Sequence, residues 1–303
     1  MKKFIACLAF MLASVSCLAW PTKDITIVVP YPPGSMSDHQ SRILQSEFNN
    51  MFKVNTIVKF VPGAASSIAL QQVLNTENDN HTFIWVNDDW ITSQIASGKH
   101  LYLQFSPLAV WGQFPMIVFG GPNYNLVKFK EQIKNKKPIN VGNIGVNGHQ
   151  YLWITNLKSD VTINPIPYKG LAPMTVDILG GNLEYGISNM ASMTDLVKEG
   201  KVNPIMISTG NRTSMYKDVP TAKELGFEGE PMGGSLGFIA RKDTDPTAFQ
   251  AMSDAVRTVI SNNKAFQDYS MKGITIVNMD IESSRKYADK VIAHNKTLKF
   301  DKE

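Results

Sequence analysis

From Ile25 onward, short continuous apolar runs alternate with longer stretches in which apolar residues recur every three or four positions. Ile25 to Pro30 (ITIVVP) is β-branched throughout, the pattern of a strand buried on both faces. Pro32, Pro33 and Gly34 break it, and Ser35 to Phe52 then carries Ile43, Leu44, Phe48 and Met51 on one helical face. Ser35 and Asp38 stand at its start in the manner of a capping box, and Asp38 and Arg42 are spaced as an i,i+4 ion pair in the favourable order. The same reading predicts strands over Thr56–Phe60 and Thr82–Val86 with a helix from Ser67 to Asn75 between them.

The rhythm repeats. Strands are expected at Pro115–Phe119, Pro138–Val141, Ile163–Pro167, Leu183–Ser188, Asn203–Ser208 and Leu236–Ala240. Helices are expected at Val127–Asn135, His149–Leu157, Pro173–Leu179, Pro246–Asn262 and Ser283–Lys299. Alternation of this kind predicts an α/β protein whose ligand loops lie at the C-terminal ends of the strands.

The N-terminus does not fit that pattern. Lys2 and Lys3 precede an apolar run from Phe4 to Val15, followed by the small residues Ser14, Ser16 and Ala19, which is the plan of a secretory signal peptide. The run is too short to span a bilayer. Cleavage after Ala19 gives an exported, periplasmic chain; acylation at Cys17 is the competing scheme, with Ser14 where such sites usually carry Leu. Both cysteines, Cys7 and Cys17, lie in this leader, so the body is expected to hold neither a disulfide nor a thiol nucleophile. Removing Lys2 and Lys3 lowers the formal charge from +4 to +2, and the densest basic run, Lys128 to Lys137, reads as a solvated helix face. Nucleic acid is not an expected partner.

Three loops join a strand to a helix through Gly, Pro and small hydroxyl residues. They are Pro30 to Asp38 (including Tyr31, Pro33, Gly34, Ser35, Met36 and Ser37), Pro62 to Ser67 (including Gly63, Ala64, Ala65 and Ser66), and Gly142 to His149 (including Asn143, Gly145 and Asn147). Free backbone N–H groups at a helix start suit an anion, and Ser35, Ser37, Ser66, Ser67, Asn143 and Asn147 add side-chain hydrogen bonds. One such loop is what any strand-to-helix turn needs; three together point to a site. Gly233-Gly-Ser-Leu-Gly237 matches the G-x-S-x-G pattern of a hydrolase nucleophile elbow, but an apolar strand follows Ser235 where a helix is required. The five histidines show no metal-ligand spacing, and Asp88-Asp89, placed on a strand, would point to opposite faces. No catalytic set or cofactor motif emerges.

Several of these segments resemble the Bug family, the solute receptors of tripartite tricarboxylate transporters. Ile27-Val-Val-Pro-Tyr-Pro-Pro-Gly34 with Asp38 and Arg42 resembles that family's P-F-x-P-G-G-x-x-D-x-x-A-R. Pro62-Gly63-Ala64 with Ile68, Gly145-Val-Asn-Gly-His149, Ile166-Pro-Tyr-Lys-Gly170 with Asp177-Ile-Leu-Gly-Gly181, and Asp218-Val-Pro-Thr221 are similar to further family motifs, in order. The resemblance implies a periplasmic-binding-protein fold with two α/β domains, two crossover strands and a ligand cleft between them. It implies domains of 20–116 plus 240–303 and of 117–239, with Pro115–Phe119 and Leu236–Ala240 as the crossover candidates. It further implies a monomeric binding protein, not an enzyme, that passes a small carboxylate to a membrane permease; a receptor that signals to a sensor protein fits the sequence equally. By position, Pro33 to Ser37 and Gly63 to Ser67 would hold the carboxylate, and Asn143, Asn147, His149, Lys169 and Asn189 would serve from the second domain. Ser35 stands where the second family Gly is usual, and Ala65-Ser66 replace Gly-Gly, so either the backbone differs there or side chains enter the pocket.

Overall fold

The computed structural model describes residues 20–146, 148–229, 231–268, 273–298 and 300. The expected leader, residues 1–19, lies outside the described residues, as does Asn147. The chain runs β1 (Ile25–Val29), α1 (Met36–Phe52), β2 (Thr56–Phe60), α2 (Ser67–Leu74), β3 (Thr82–Asn87), α3 (Asp89–Ala96) and β4 (Phe105–Gly120). It continues through α4 (Leu126–Lys134), β5 (Ile139–Ile144), α5 (His149–Asn156), β6 (Ile163–Tyr168), α6 (Leu171–Leu179), β7 (Tyr185–Asn189), α7 (Met190–Lys198) and β8 (Asn203–Ile207). The last elements are β9 (Gly233–Arg241), α8 (Pro246–Asn262), α9 (Lys264–Gln267), β10 (Thr275–Ile276) and α10 (Ile281–Asn295).

The strand order is β2-β1-β3-β9-β4-β7-β5-β6, with β8 and β10 also paired to β4. At one end β1 lies parallel to both β2 and β3; at the other β5 lies parallel to β6 and β7. These parallel strands carry helices on their connections, which is why β1 and β3 are apolar almost without alternation. The two parallel groups meet on β4. Its first part, Phe105 to Pro115, pairs antiparallel with β9, and Met116 to Gly120 pairs antiparallel with β7. β9 in turn pairs with β3, so the chain returns to the first group through Gly233–Ser235, opposite Gln113–Pro115. The result is two α/β domains joined by two crossover strands, as expected from the family resemblance.

Each group has its own packing. Phe83 lies between Phe48 and Phe238, at 6.1 and 5.8 Å between ring centroids, and joins α1, β3 and β9 into one layer. In the second group Phe129 from α4 meets Tyr185 edge-on at 5.0 Å, while Met174 and Ile178 of α6 are fully buried. Glycines allow the sheet to approach α6 closely. A Cβ at Gly142 would lie 2.5 Å from Leu183, and one at Gly186 would lie 2.6 Å from Ile178. The sheet thereby comes close to α6 and holds that helix's N-terminus at the mouth of the gap between the domains.

Besides the short α9 and β10, three longer elements differ from the expectation. β4 extends ten residues upstream of Pro115, because Pro107 and Gly112 sit beside register shifts in its pairing with β9 rather than ending the strand. α3 and α7 were not expected. Each begins within two residues of the preceding strand, without a Gly or Pro between.

Candidate functional site

Between the two strand groups lies a cavity of about 930 Å³. The C-terminal ends of β1, β3, β5, β6 and β7 open onto it, and five helices begin at its walls. These are α1 at Ser35–Ser37, α3 at Asp89, α5 at Gly148–Gln150, α6 at Gly170–Pro173 and α7 at Asn189. Each helix start brings N–H groups that lack an intrahelical partner and the positive end of its dipole. Convergence of five on one space makes it a place for negative charge. Apolar walls come from Tyr31, Trp85, Phe114, Met193, Leu196 and Leu236.

The first loop is held by its own side chains. Gly34, at φ +80°, donates its N–H to Asp38 Oδ2 at 2.8 Å, and Arg42 Nε lies 2.6 Å from Asp38 Oδ1. Ser35 caps α1 by accepting from the Asp38 N–H, and its hydroxyl lies 2.7 Å from that of Ser37. Asp38 therefore shapes the loop from behind and does not line the cavity. Tyr31 reaches over the opening and donates its hydroxyl to Asn87 Oδ1 at 2.8 Å. Burial, reinforced by the Asp89 charge, pushes that phenol well above its ordinary pKa, so it stays a neutral donor.

The second loop takes a different course. Gly63 to Ser67 lies off the cavity wall, where Ser93 donates to the Ala65 carbonyl at 3.0 Å and the Gln94 amide bonds the Ser67 hydroxyl. The alternatives raised by the missing glycines resolve differently at the two loops. Ala64 and Ala65 at φ +44° and Ser66 at φ +74° keep the left-handed backbone despite their side chains, whereas Ser35 is extended at φ −76°. Ser66 is wholly buried beside Tyr31. The loop supports the Tyr31 wall from the far side.

In the second group, Lys169 and Asn189 line the cavity, and Lys169 forms no ion pair or hydrogen bond with the described residues. Asn189 caps α7 by accepting from Ser192. Asn143 and Gly145 lie behind the wall, bonded to each other through the Asn143 amide and the Gly145 carbonyl. His149 lines the cavity at the first turn of α5. Its ring Nδ1 lies 3.0 Å from Asp89 Oδ1, and its backbone N–H donates to the same oxygen at 3.1 Å. Burial works against charge on either partner, but their mutual attraction and hydrogen bonds outweigh it. Asp89 is held below the usual carboxylate range and His149 above the usual imidazole range.

Sequence reasoning missed Asp89, Asn87, Phe114, Gln150, Ser188 and Thr175 as wall residues. Asp88 and Asp89 do not sit on a strand: they open α3 and face different surroundings. Asp88 is buried in the sheet, where it accepts the Ser235 N–H at 2.9 Å, the Ser235 hydroxyl and the Tyr287 hydroxyl at 3.1 Å. Ser235 itself lies inside β9 with a carboxylate, not an imidazole, on its Oγ. The G-x-S-x-G pattern is thus a buried structural contact, and the hydrolase reading falls. Among the described residues no group of three His, Cys, Asp or Glu side chains could hold a metal ion.

Comparison with known proteins agrees with this architecture. Over 294 residues the chain is 24% identical to protein BugT of Bordetella pertussis, covering 92% of this chain and 89% of that protein. Among solved structures it is similar to the periplasmic binding protein BugD, with a TM-score of 0.78 at 20% identity over 91% of this chain and 96% of that one. MatC from Rhodopseudomonas palustris, solved with bound malate, gives a TM-score of 0.76 at 20% identity over 91% and 99% of the two chains. A second protein of that organism, solved with adipate, gives 0.77 at 19% identity over 91% and 96%. Residues 41–300 match the description "Tripartite tricarboxylate transporter family receptor", and the chain belongs to that family of solute-binding receptors.

Proposed function

We propose that this protein is exported by its leader and captures a small carboxylate-bearing solute between its two domains for delivery to a tripartite-type permease. The observation that carries the reading is the convergence on one cavity of about 930 Å³ of five helix N-termini and Lys169, which has no partner among the described residues. That wall offers charge-assisted hydrogen bonds to an acidic group. Malate in MatC and adipate in its neighbour are ligands of the same chemistry in the same fold. Tyr31, Pro33 to Ser37, His149, Lys169 and Asn189 form the binding wall in this reading. The first domain is built from both ends of the chain, so closure about the β4–β9 crossovers brings the two walls onto the solute.

The test is a thermal-shift screen of the purified chain, freed of bound solute by unfolding and refolding, against mono-, di- and aromatic carboxylates. A ligand at one hundred times its Kd stabilises the folded state by about 2.7 kcal/mol, which raises Tm by roughly 5–10 °C. Lys169→Met should leave Tm without ligand unchanged and remove most of the shift. A full panel that moves Tm for no carboxylate, or a shift that Lys169→Met leaves intact, would refute the reading.

A further inference from the structure

Asp89 and His149 come from opposite domains, sixty residues apart in sequence, and meet at the cavity wall. Asp89 opens α3 directly after β3, where its own N–H is fixed by donation to Asn87 Oδ1 at 3.0 Å. Its carboxylate then does two things in the other domain. It accepts the first N–H of α5, a helix with no side-chain cap of its own at Gly148, and it engages the His149 ring on Nδ1. His149 is 6% exposed, and its Nε2 has no hydrogen-bond partner among the described residues. A buried ring nitrogen without a partner is a costly feature unless something takes the bond. With Nδ1–H donated to the carboxylate, a neutral ring would offer Nε2 only as an acceptor; the charged ring that Asp89 favours carries a hydrogen on Nε2 as well and donates from it.

We propose that Asp89 is the positioning residue of the binding site: reaching across the cleft, it caps α5 and fixes His149 as a donor whose Nε2–H serves an acidic oxygen of the solute. This deepens the carboxylate reading above and rests on it. The donor is assembled only when the two domains are together, so domain closure and recognition of negative charge become one event. The groups facing the ring are Asp89, with Asp88 behind it, and Lys169 and Tyr31 on the same cavity; Phe114 contacts it edge-on. Of these only the two carboxylates favour a charged ring.

The pH dependence follows from the two directions. The contribution of Asp89 is present above its ordinary value of 3.8 and lost as pH falls through its lowered one. That of His149 is present below 6.5 and lost as pH rises through its raised value. Interdomain pairing is therefore complete between those ordinary values, and solute affinity should decline on the alkaline side.

The experiment has two arms on the full chain. In the first, imidazole ¹⁵N NMR follows His149 without added ligand, its signal assigned by loss in His149→Gln. Its midpoint should lie above 6.5 in the wild type and fall in Asp89→Asn, where Asp88 alone still opposes burial. In the second, adipate binding is measured by calorimetry from pH 5.5 to 9. Asp89→Asn should weaken it about tenfold at pH 7 and move its alkaline decline to lower pH, and His149→Gln should flatten the profile. An unmoved His149 midpoint overturns the proposal, as does a moved midpoint that leaves adipate affinity and its pH profile unchanged. Failure of the wild type to bind any carboxylate overturns the receptor reading and the solute half of this one, while the NMR arm still decides whether Asp89 controls His149. Far-UV circular dichroism confirms that each variant is folded.

Discussion

Replacing Ser235 by Ala separates a structural serine from a catalytic one. Asp88 is 5% exposed and Ser235 4%, so neither leans on water for its hydrogen bonds. Asp88 accepts three: from the Ser235 N–H, the Ser235 hydroxyl and the Tyr287 hydroxyl. Ser235→Ala deletes one and leaves two. A hydrogen bond to a charged group contributes about 1.5–3 kcal/mol, and β9 keeps its backbone pairing, so stability should fall by about that amount. For a chain of this size that lowers Tm by roughly 3–10 °C.

The pH dependence makes the prediction specific. Burial holds Asp88 above the ordinary carboxylate value in spite of its hydrogen bonds, which pull the other way. A raised carboxylate stabilises most below the unfolded value of 3.8, and that contribution is lost as pH rises through the folded value. Removing the Ser235 hydroxyl raises the folded value further, so the loss continues to higher pH in the variant than in the wild type. The stability difference should accordingly be small near pH 4 and larger at pH 8. Urea unfolding followed by circular dichroism at both pH values measures it, with ester turnover assayed in parallel. A difference equal at the two pH values would refute the Asp88 contact as the cause, and esterase activity abolished by the substitution would refute the structural role.

Two further substitutions probe the backbone. Ala65→Gly places glycine at φ +44°, relieving about 1–2 kcal/mol of left-handed strain, of which the freer unfolded chain takes back about 0.4–1 kcal/mol. Tm should rise by roughly 1–4 °C, and a fall would show that the Ala65 methyl packs usefully. Gly120→Ala puts a Cβ 1.9 Å from the Tyr124 carbonyl oxygen at the end of β4, a backbone contact that no rotamer change relieves. A cost at the top of the roughly 1–3 kcal/mol range for overpacking is expected, read as a drop in Tm of at least about 5 °C; an unchanged Tm would mean that the turn after β4 moves freely.

Much of the architecture was legible because parallel strands covered on both faces must be apolar, and a helix lying on a sheet must repeat its apolar residues at helical spacing. Ile25–Val29 and the face carrying Leu44 and Phe48 follow those rules, and so do most of the elements around them. Legibility failed where chain direction changes without punctuation. α3 starts at Asp89 after a strand ending at Asn87, and α7 starts at Met190 after one ending at Asn189. In both, a side chain does the work a Gly or Pro would have advertised: Asn87 accepts the Asp89 N–H, and Asn189 accepts the Ser192 N–H. The reverse error occurred on β4, where Pro107 and Gly112 look like breaks. Gly112 is there because a Cβ would lie 2.8 Å from Ile274.

The site shows the same division more sharply. Tyr31, Gly34, Ser35 and Ser37 were recognisable because the strand, break and helix that position them are contiguous, and loop chemistry is local. His149 was reached as the end of the Gly142–His149 loop, and Lys169 through resemblance alone, since its spacing does not mark it. Asp89 was reached by neither route. Its importance lies in a partner sixty residues away on another domain, and nothing in the sequence around Asp89 specifies that partner. Two properties of the pair exist only in the folded chain: the burial that would discharge each partner alone, and the contact that keeps both charged. A residue of this kind can be found by asking which buried charge has its counter-charge on the opposite wall of a cleft. Here the answer lies at the start of a helix that sequence pattern did not predict.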